Sequence, residues 1–293
     1  MIATLDEVMD AAAAAITGAP ITGGAISGAE ISEAGPVGPV TGALKVGVDL
    51  GTAYTVVVAL DEEDRPLAGA SAYADVVRDG VVVDFLGALD LLTRLKARVE
   101  ARLGRALTSA HGAYPPGIPE DDARAVRHVI EAAGMECSGL VDEPSAANAV
   151  LGLRDGVVVD VGGGTTGIAV VRDGTIVHTA DEPTGGHHLS LVIAGALGVD
   201  LEAAEALKRK PAEQARLFPI VRPVLEKVAT IIERNVPEWP GGAIHLVGGT
   251  VAFPHFAEVV AEITGRQAVV PAHPLYVTPL GIARCATPAE RTP

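Results

Sequence analysis

Positive charge and aromatic rings are what this chain has least of. Lys plus Arg number 22 against 37 Asp plus Glu, a formal charge of −15, and aromatics make up 3% of 293 residues. Such a surface repels phosphate backbones and anionic lipid, which argues against non-specific nucleic-acid or membrane binding. Cysteine is nearly missing: Cys137 and Cys285 stand far apart, which excludes a disulfide or zinc scaffold and suits two inert thiols in a reducing compartment. No apolar run reaches 18 residues and no secretory signal is evident, so a soluble cytoplasmic protein is expected. There is no G-x-x-x-x-G-K-[ST] run and no strand-then-helix G-x-G-x-x-G, which leaves P-loop and Rossmann readings weak.

What is present is Val, Ala, Leu and Ile, within a 48% hydrophobic content that favours an α/β protein with Val-rich buried strands. Residues 1–16 carry Ile2, Leu5, Val8, Met9, Ala12, Ala13 and Ile16 on one helical face and Asp6, Glu7 and Asp10 on the other. Residues 17–43 are dense in glycine and include Pro20, Pro36 and Pro39, the composition of a flexible tether. An amphipathic helix on a long tether suggests a segment that docks on a partner, with folding back onto its own body as the other reading. Beyond residue 43 strands and helices alternate, including an acid-capped helix expected over 120–133.

Two hairpins look like copies of one unit. Val46-Gly47-Val48-Asp49-Leu50-Gly51-Thr52 parallels Val158-Val159-Asp160-Val161-Gly162-Gly163-Gly164-Thr165. A duplicated lobe explains both the repeat and the length, and gives a first lobe over 44–150 and a second over 151–293. In each copy an apolar strand ends at an aspartate and turns at once through glycine, so backbone N–H groups can approach a phosphate closely. The aspartate would be repelled by phosphate itself; it either holds Mg²⁺ through water or orients an attacking water. A third turn, Val247-Gly248-Gly249-Thr250, follows a strand and precedes a helix, which suits an adenosine and its α-phosphate. Asp142-Glu143-Pro144 opens a small-residue helix between the lobes.

Five blocks in this order resemble the actin, DnaK-type chaperone and sugar-kinase superfamily: Gly47–Thr55, Asp142–Val150, Val158–Gly167, Leu246–Thr250 and Thr278–Ala286. The resemblance implies a two-lobed actin-like ATPase fold with ATP and Mg²⁺ as ligands. Asp49 and Asp160 would be the metal-water and catalytic aspartates, with Glu143 orienting the metal-bound water. Phosphate would meet Gly51, Thr52 and Ala53 on one side and Gly162, Gly163, Gly164 and Thr165 on the other; Gly248, Gly249 and Thr250 would carry adenosine. Likeness to bacterial actins places Glu205 and Lys208 near the ribose, while their i, i+3 spacing alone reads as a solvated ion pair. His187 and His188 follow two glycines and read as a turn with one exposed imidazole.

More narrowly, Tyr73-Ala74-Asp75-Val76-Val77-Arg78-Asp79-Gly80, Asp142-Glu143-Pro144 and Asp181-Glu182-Pro183-Thr184-Gly185-Gly186-His187-His188 are similar to the ethanolamine-utilisation EutJ family. That family is associated with bacterial microcompartments and described as chaperone-like. The resemblance implies a slow ATPase that assists a microcompartment or its enzymes, with shell or lumen enzymes as partners of the N-terminal helix. The alternatives are a reactivating factor for a cobalamin-dependent lyase, a metabolite kinase, or a scaffold without turnover. Two departures bear on chemistry. About a dozen residues separate the second strand from the third, which leaves no room for the inserted first-lobe subdomain and its phosphate-facing lysine. Gly167 stands where DnaK-type chaperones have a further aspartate.

Overall fold

The computed structural model describes residues 4–18, 40–73, 76–78, 81–117, 123–236, 238–239 and 241–287. The chain opens with α1 (Leu5–Ala15) and β1 (Ile16–Gly18). A meander of β2 (Lys45–Leu50), β3 (Tyr54–Leu60) and β4 (Pro66–Tyr73) follows, then the short pair β5 (Val77–Arg78) and β6 (Val81–Val82). α2 (Phe85–Leu103), β7 (Ser109–Tyr114), α3 (Arg124–Ala132) and β8 (Glu136–Asp142) complete the first lobe, and α4 (Glu143–Leu151) crosses to the second. There β9 (Gly156–Val161), β10 (Thr166–Arg172) and β11 (Thr175–Glu182) form another meander. It is followed by α5 (Gly186–Leu197), α6 (Leu201–Lys208), α7 (Pro211–Asn235), β12 (Ile244–Val247), α8 (Phe256–Thr264), β13 (Ala268–Val269) and α9 (Val277–Cys285).

The duplication read from the two hairpins is a duplication of topology. The first sheet runs β1-β4-β3-β2-β7-β8 and the second β11-β10-β9-β12-β13. Setting β1 aside, each lobe orders its own strands third, second, first, fourth, fifth. The meanders are antiparallel and the last strands join in parallel. All six residues of β9 are buried, because the second lobe's helices cover one face of this sheet and the core between the lobes covers the opposite face. Between the lobes lies a further core in which Val58 and Leu60 meet Val158, Ala169, Ala147 and Leu280. The β3–β4 connection is only residues 61–65, shorter than the dozen read from the sequence; among the described residues the β5–β6 pair between β4 and α2 is what stands in the place of an inserted subdomain.

The N-terminal segment departs from the tethered-helix expectation. Thr4 and Glu7 form a reciprocal cap that fixes where α1 begins: Glu7 Oε2 accepts from the Thr4 N–H at 2.8 Å and Thr4 Oγ1 from the Glu7 N–H at 3.3 Å. Its apolar arc is spent on its own body, with Met9 and Ala12 fully buried in the interlobe core. Residues 16–18, partly assigned to the tether, instead extend the first sheet in parallel with β4, Ile16 opposite Gly69. Most of the expected linker, 19–39, lies outside the described residues. Met9→Ala should therefore destabilise the protein by about 2–5 kcal/mol in urea unfolding, the usual cost of emptying a buried Met site; an unchanged midpoint would mean that α1 does not belong to the fold.

The helix expected to begin at Glu120 starts instead at Arg124, behind Ala123 and without a side-chain cap, while 118–122 lie outside the described residues. Among the described residues no helix is long and apolar enough to cross a membrane.

Candidate functional site

The two aspartate-glycine turns are built alike. After Asp49, the Gly51 N–H donates to Tyr54 O at 3.0 Å; after Asp160, the Gly162 N–H donates to Thr165 O at 3.0 Å. Each aspartate sits near the end of its lobe's central strand, so the lobes aim them at one another across a cavity of about 1630 Å³. All fifteen residues singled out from the sequence line that cavity: Asp49, Gly51, Thr52 and Ala53 from the first turn, Asp160 and Gly162 to Thr165 from the second, Gly248 to Thr250 from the third, and Glu143, Glu205 and Lys208 from helices.

Backbone proximity explains the glycines. A β-carbon on Gly163 would lie 2.7 Å from the Ala53 β-carbon, so the two turns already touch. Gly248 has φ +92°, and a β-carbon there would strike the Asp160 carboxylate and sit 2.5 Å from Val161 O. The third turn is tied to the second by the Thr250 hydroxyl, which donates to Gly162 O at 2.7 Å. At the floor, Thr278 of α9 donates its hydroxyl to Asp160 Oδ2, and this contact joins the second connecting helix to the aspartate.

The acids are held against their charge. Burial, and then the nearby Asp160 carboxylate, push Asp49 up to about 7. Burial pushes Glu143 well above the usual range, and the charges of Asp160, Asp49, Asp181 and Asp142 add to this. Asp160 is raised by burial too, against the opposing Thr278 hydrogen bond. Facing carboxylates without a counterion are what a divalent cation would relieve. Among the described residues no three His, Cys, Asp or Glu side chains form a direct metal cage. Carboxylate oxygens facing one cavity are donors of the kind that a hydrated Mg²⁺ takes through its water.

Glu205 and Lys208 correct one expectation. Their ion pair, 2.6 Å long, is not solvated: both side chains are about five-sixths buried where α6 packs on α5. Lys208 Nζ also donates to Gly186 O at 2.9 Å and Ser190 Oγ at 3.0 Å, and Ser190 donates to Glu205. Burial raises the Glu205 carboxyl, but the Lys208 charge and these hydrogen bonds outweigh it and hold it below its ordinary value. His187 is the exposed imidazole, and it lines the cavity; His188 turns back, its Nδ1 accepting from the Gly185 N–H at 3.3 Å. Both begin α5 rather than forming a turn.

Gly167 sits in a tight place for any side chain. A β-carbon would already lie 3.3 Å from Pro116 and 3.4 Å from Pro144. Across the strand pair its partner is Asp181, whose charge reaches Glu143. Spacing along the chain does not disclose Asp181, because only the β10–β11 register brings it there. Thr278, Tyr54, Tyr73 and Arg209 also line the cavity and were not among the expected residues. Thr278 lay within a matched block, but nothing marked its side chain as the one that would reach Asp160.

Known proteins share this architecture. The family model for MreB/Mbl protein matches residues 71–197, and that for cell division protein FtsA matches 157–287. The chain is 42% identical over 241 residues to the ethanolamine utilization protein EutJ of Escherichia coli (strain K12), covering 82% of this chain and 85% of that one. It is 27% identical over 259 residues to a chaperone protein HscA homolog of Chromobacterium violaceum, covering 71% of this chain and 42% of that longer protein. The crystal structure of EutJ from Carboxydothermus hydrogenoformans superposes with a TM-score of 0.80 at 48% identity, covering 85% of this chain and 92% of that one. MreB5 of Spiroplasma citri, solved bound to AMPPNP, superposes at 0.65 with 16% identity over 83% of this chain and 95% of its own, a likeness of fold. The chain belongs to the EutJ family of ethanolamine utilization proteins and has their actin-like ATPase fold.

Proposed function

We propose that this chain binds Mg·ATP between its lobes, hydrolyses it slowly, and works as a chaperone-like switch in ethanolamine utilisation that serves a bacterial microcompartment or its enzymes. The observation that carries this reading is the convergence of three glycine turns and three buried carboxylates, each raised above its ordinary value, on one interlobe cavity. Gly51 to Ala53 and Gly162 to Thr165 would hold the phosphates from opposite sides through backbone N–H groups and hydroxyls. Gly248 to Thr250, with Glu205 and Lys208, would hold adenosine. Mg²⁺, when bound, would supply the countercharge that lets Asp49 and Asp160 ionise beside a polyphosphate, and Glu143 would orient a water. Slow turnover follows from what is missing: Gly167 offers no further carboxylate, and the residues between β4 and α2 bring no lysine to the cleft.

The EutJ likeness supports the place in ethanolamine utilisation, and the HscA likeness supports the chaperone-like side of the reading. Recruitment to a shell or lumen enzyme through α1 would require Met9 and Ala12 to leave the interlobe core, so such recruitment would be coupled to loosening of the body.

Thermal unfolding tests the binding directly. Mg·ATP at about 100 times its dissociation constant should stabilise the protein by about 2.7 kcal/mol, and EDTA should remove most of the shift. The absence of any shift at millimolar Mg·ATP or Mg·ADP would overturn the reading. A shift without phosphate release would make the protein a nucleotide-binding scaffold.

A further inference from the structure

Beside the first phosphate turn, which Tyr54 closes, three side chains from the two lobes form one stack. Tyr54 starts β3 and Tyr73 ends β4, both in the first lobe; their rings meet edge to face, 5.8 Å apart at 77°. Arg209, which follows α6 in the second lobe, lays its guanidinium 3.9 Å over the Tyr73 ring and 5.8 Å from the Tyr54 ring. Its orientation is fixed from behind: Arg209 Nε donates to Glu205 Oε1 at 2.7 Å, within the same network that buries Lys208. The arginine side chain is only 9% exposed.

We infer that the Tyr73–Arg209–Tyr54 stack is the clasp that holds the two lobes closed over the nucleotide cleft, a positioning role that other actin-like proteins could give to an inserted first-lobe subdomain and that this chain, lacking one, gives to three side chains. The inference rests on the proposed nucleotide site. All three residues line the cavity, and the stack joins the lobes, so that opening the cleft there means separating a guanidinium from a ring.

The balance within the stack makes it reversible. A cation over an aromatic face is attractive, but closure leaves Arg209 Nη2 and the Tyr54 hydroxyl buried without a hydrogen-bond partner in the protein. The penalty for an unpaired buried donor is of the same size as the attraction. Opening the clasp therefore frees these polar groups to meet water as it gives up the ring contact, and a bound nucleotide adds to the closed side. Burial also keeps the Tyr54 phenol protonated, so the guanidinium meets rings rather than a phenolate.

The test uses Tyr73, which is half-exposed and makes no part of the proposed phosphate or metal machinery. Tyr73→Ala should speed release of a fluorescent N-methylanthraniloyl ADP, chased with excess ADP in stopped flow, by about tenfold or more; Tyr73→Phe, which keeps the ring, should stay near the native rate. Arg209→Ala should match Tyr73→Ala. A native rate in Tyr73→Ala would overturn the clasp, as would equal acceleration in Tyr73→Phe. A second reading needs no nucleotide. Spin labels at Leu86→Cys and Leu191→Cys, exposed positions on opposite lobes, in a Cys137→Ala/Cys285→Ala background, report the interlobe distance by pulsed electron resonance. Tyr73→Ala should lengthen and broaden that distance in the ligand-free protein. If the labelled ADP fails to bind the native protein, the nucleotide reading falls while this distance still decides whether the stack holds the lobes; an unchanged distance overturns the clasp.

Discussion

Asp160→Asn is expected to lower phosphate release at saturating Mg·ATP by about 10²-fold or more while nucleotide affinity changes only a few-fold, because a positioned acid-base or metal-water group contributes on that order. The substitution keeps the shape of a side chain that the structure clamps from two sides, by Thr278 at Oδ2 and the bare Gly248 backbone at Oδ1. What it removes is charge. A second consequence separates a functional aspartate from a structural one. Asp160, Asp49 and Glu143 are each raised in the folded protein, so the folded state retains protons that the unfolded chain gives up. Stability must then fall as pH rises from the ordinary carboxylate range through the raised values, which for Asp49 lie at about 7. Removing one of the three charges should relieve that fall, so the ligand-free variant should melt no lower than native protein at pH 8, with the benefit fading near pH 4. Calorimetry across that range and a phosphate-release assay measure both halves. Retained turnover would show that Asp160 is not catalytic, and a large loss of stability at pH 8 would show that its charge is a structural asset.

The cavity lining was legible because its parts are backbone chemistry. An aspartate that ends an apolar strand and turns through glycine can be recognised in one copy and trusted in two, and the two copies then require matching sheets; the strand orders bear that out. The environment of a side chain was less legible. Glu205 and Lys208 read as a surface pair because helical spacing says which residues are neighbours and not what covers them; packing of α6 on α5 covers them. The stack of Arg209 on Tyr73 joins residues from different lobes, so nothing local could announce it. Nor does 211–235 advertise a 25-residue helix, since Pro219 and Pro223 argue against one, and only the burial of Leu217, Val221, Leu225 and Val228 in the second core explains why it persists. The amphipathic face of α1 was visible, but a face does not name its partner. Here the partner is the core between the chain's own lobes.

Gly281→Val should be more damaging still, and to folding rather than chemistry. The connecting helices α4 and α9 cross where Gly281 meets Ala146, so closely that a β-carbon on Gly281 would fall within bonding distance of the Ala146 carbonyl oxygen. Side chains in a crowded core relax by changing rotamer; two backbones cannot. Nor can α9 back away, because on its other side it lies against Gly47 of β2, where a β-carbon would be 2.6 Å from Ala283 N and 2.7 Å from Pro279 O. Every residue from Val277 to Ala283 is buried. Ordinary overpacking costs about 1–3 kcal/mol, and a backbone-to-backbone clash with no escape should exceed about 4 kcal/mol, a large part of the roughly 5–15 kcal/mol that holds a typical protein folded. The variant is expected to be insoluble or to lose its cooperative urea transition, and any folded fraction should bind nucleotide poorly, since Thr278 on the displaced helix could no longer reach Asp160. Gly195→Ala provides the control. That glycine lies inside α5 with nothing within 4 Å of where a β-carbon would go, so alanine there should leave stability unchanged or raise it by about 0.5–1 kcal/mol. If Gly281→Val unfolds no more readily than Gly195→Ala, the two lobes are not joined through this crossing.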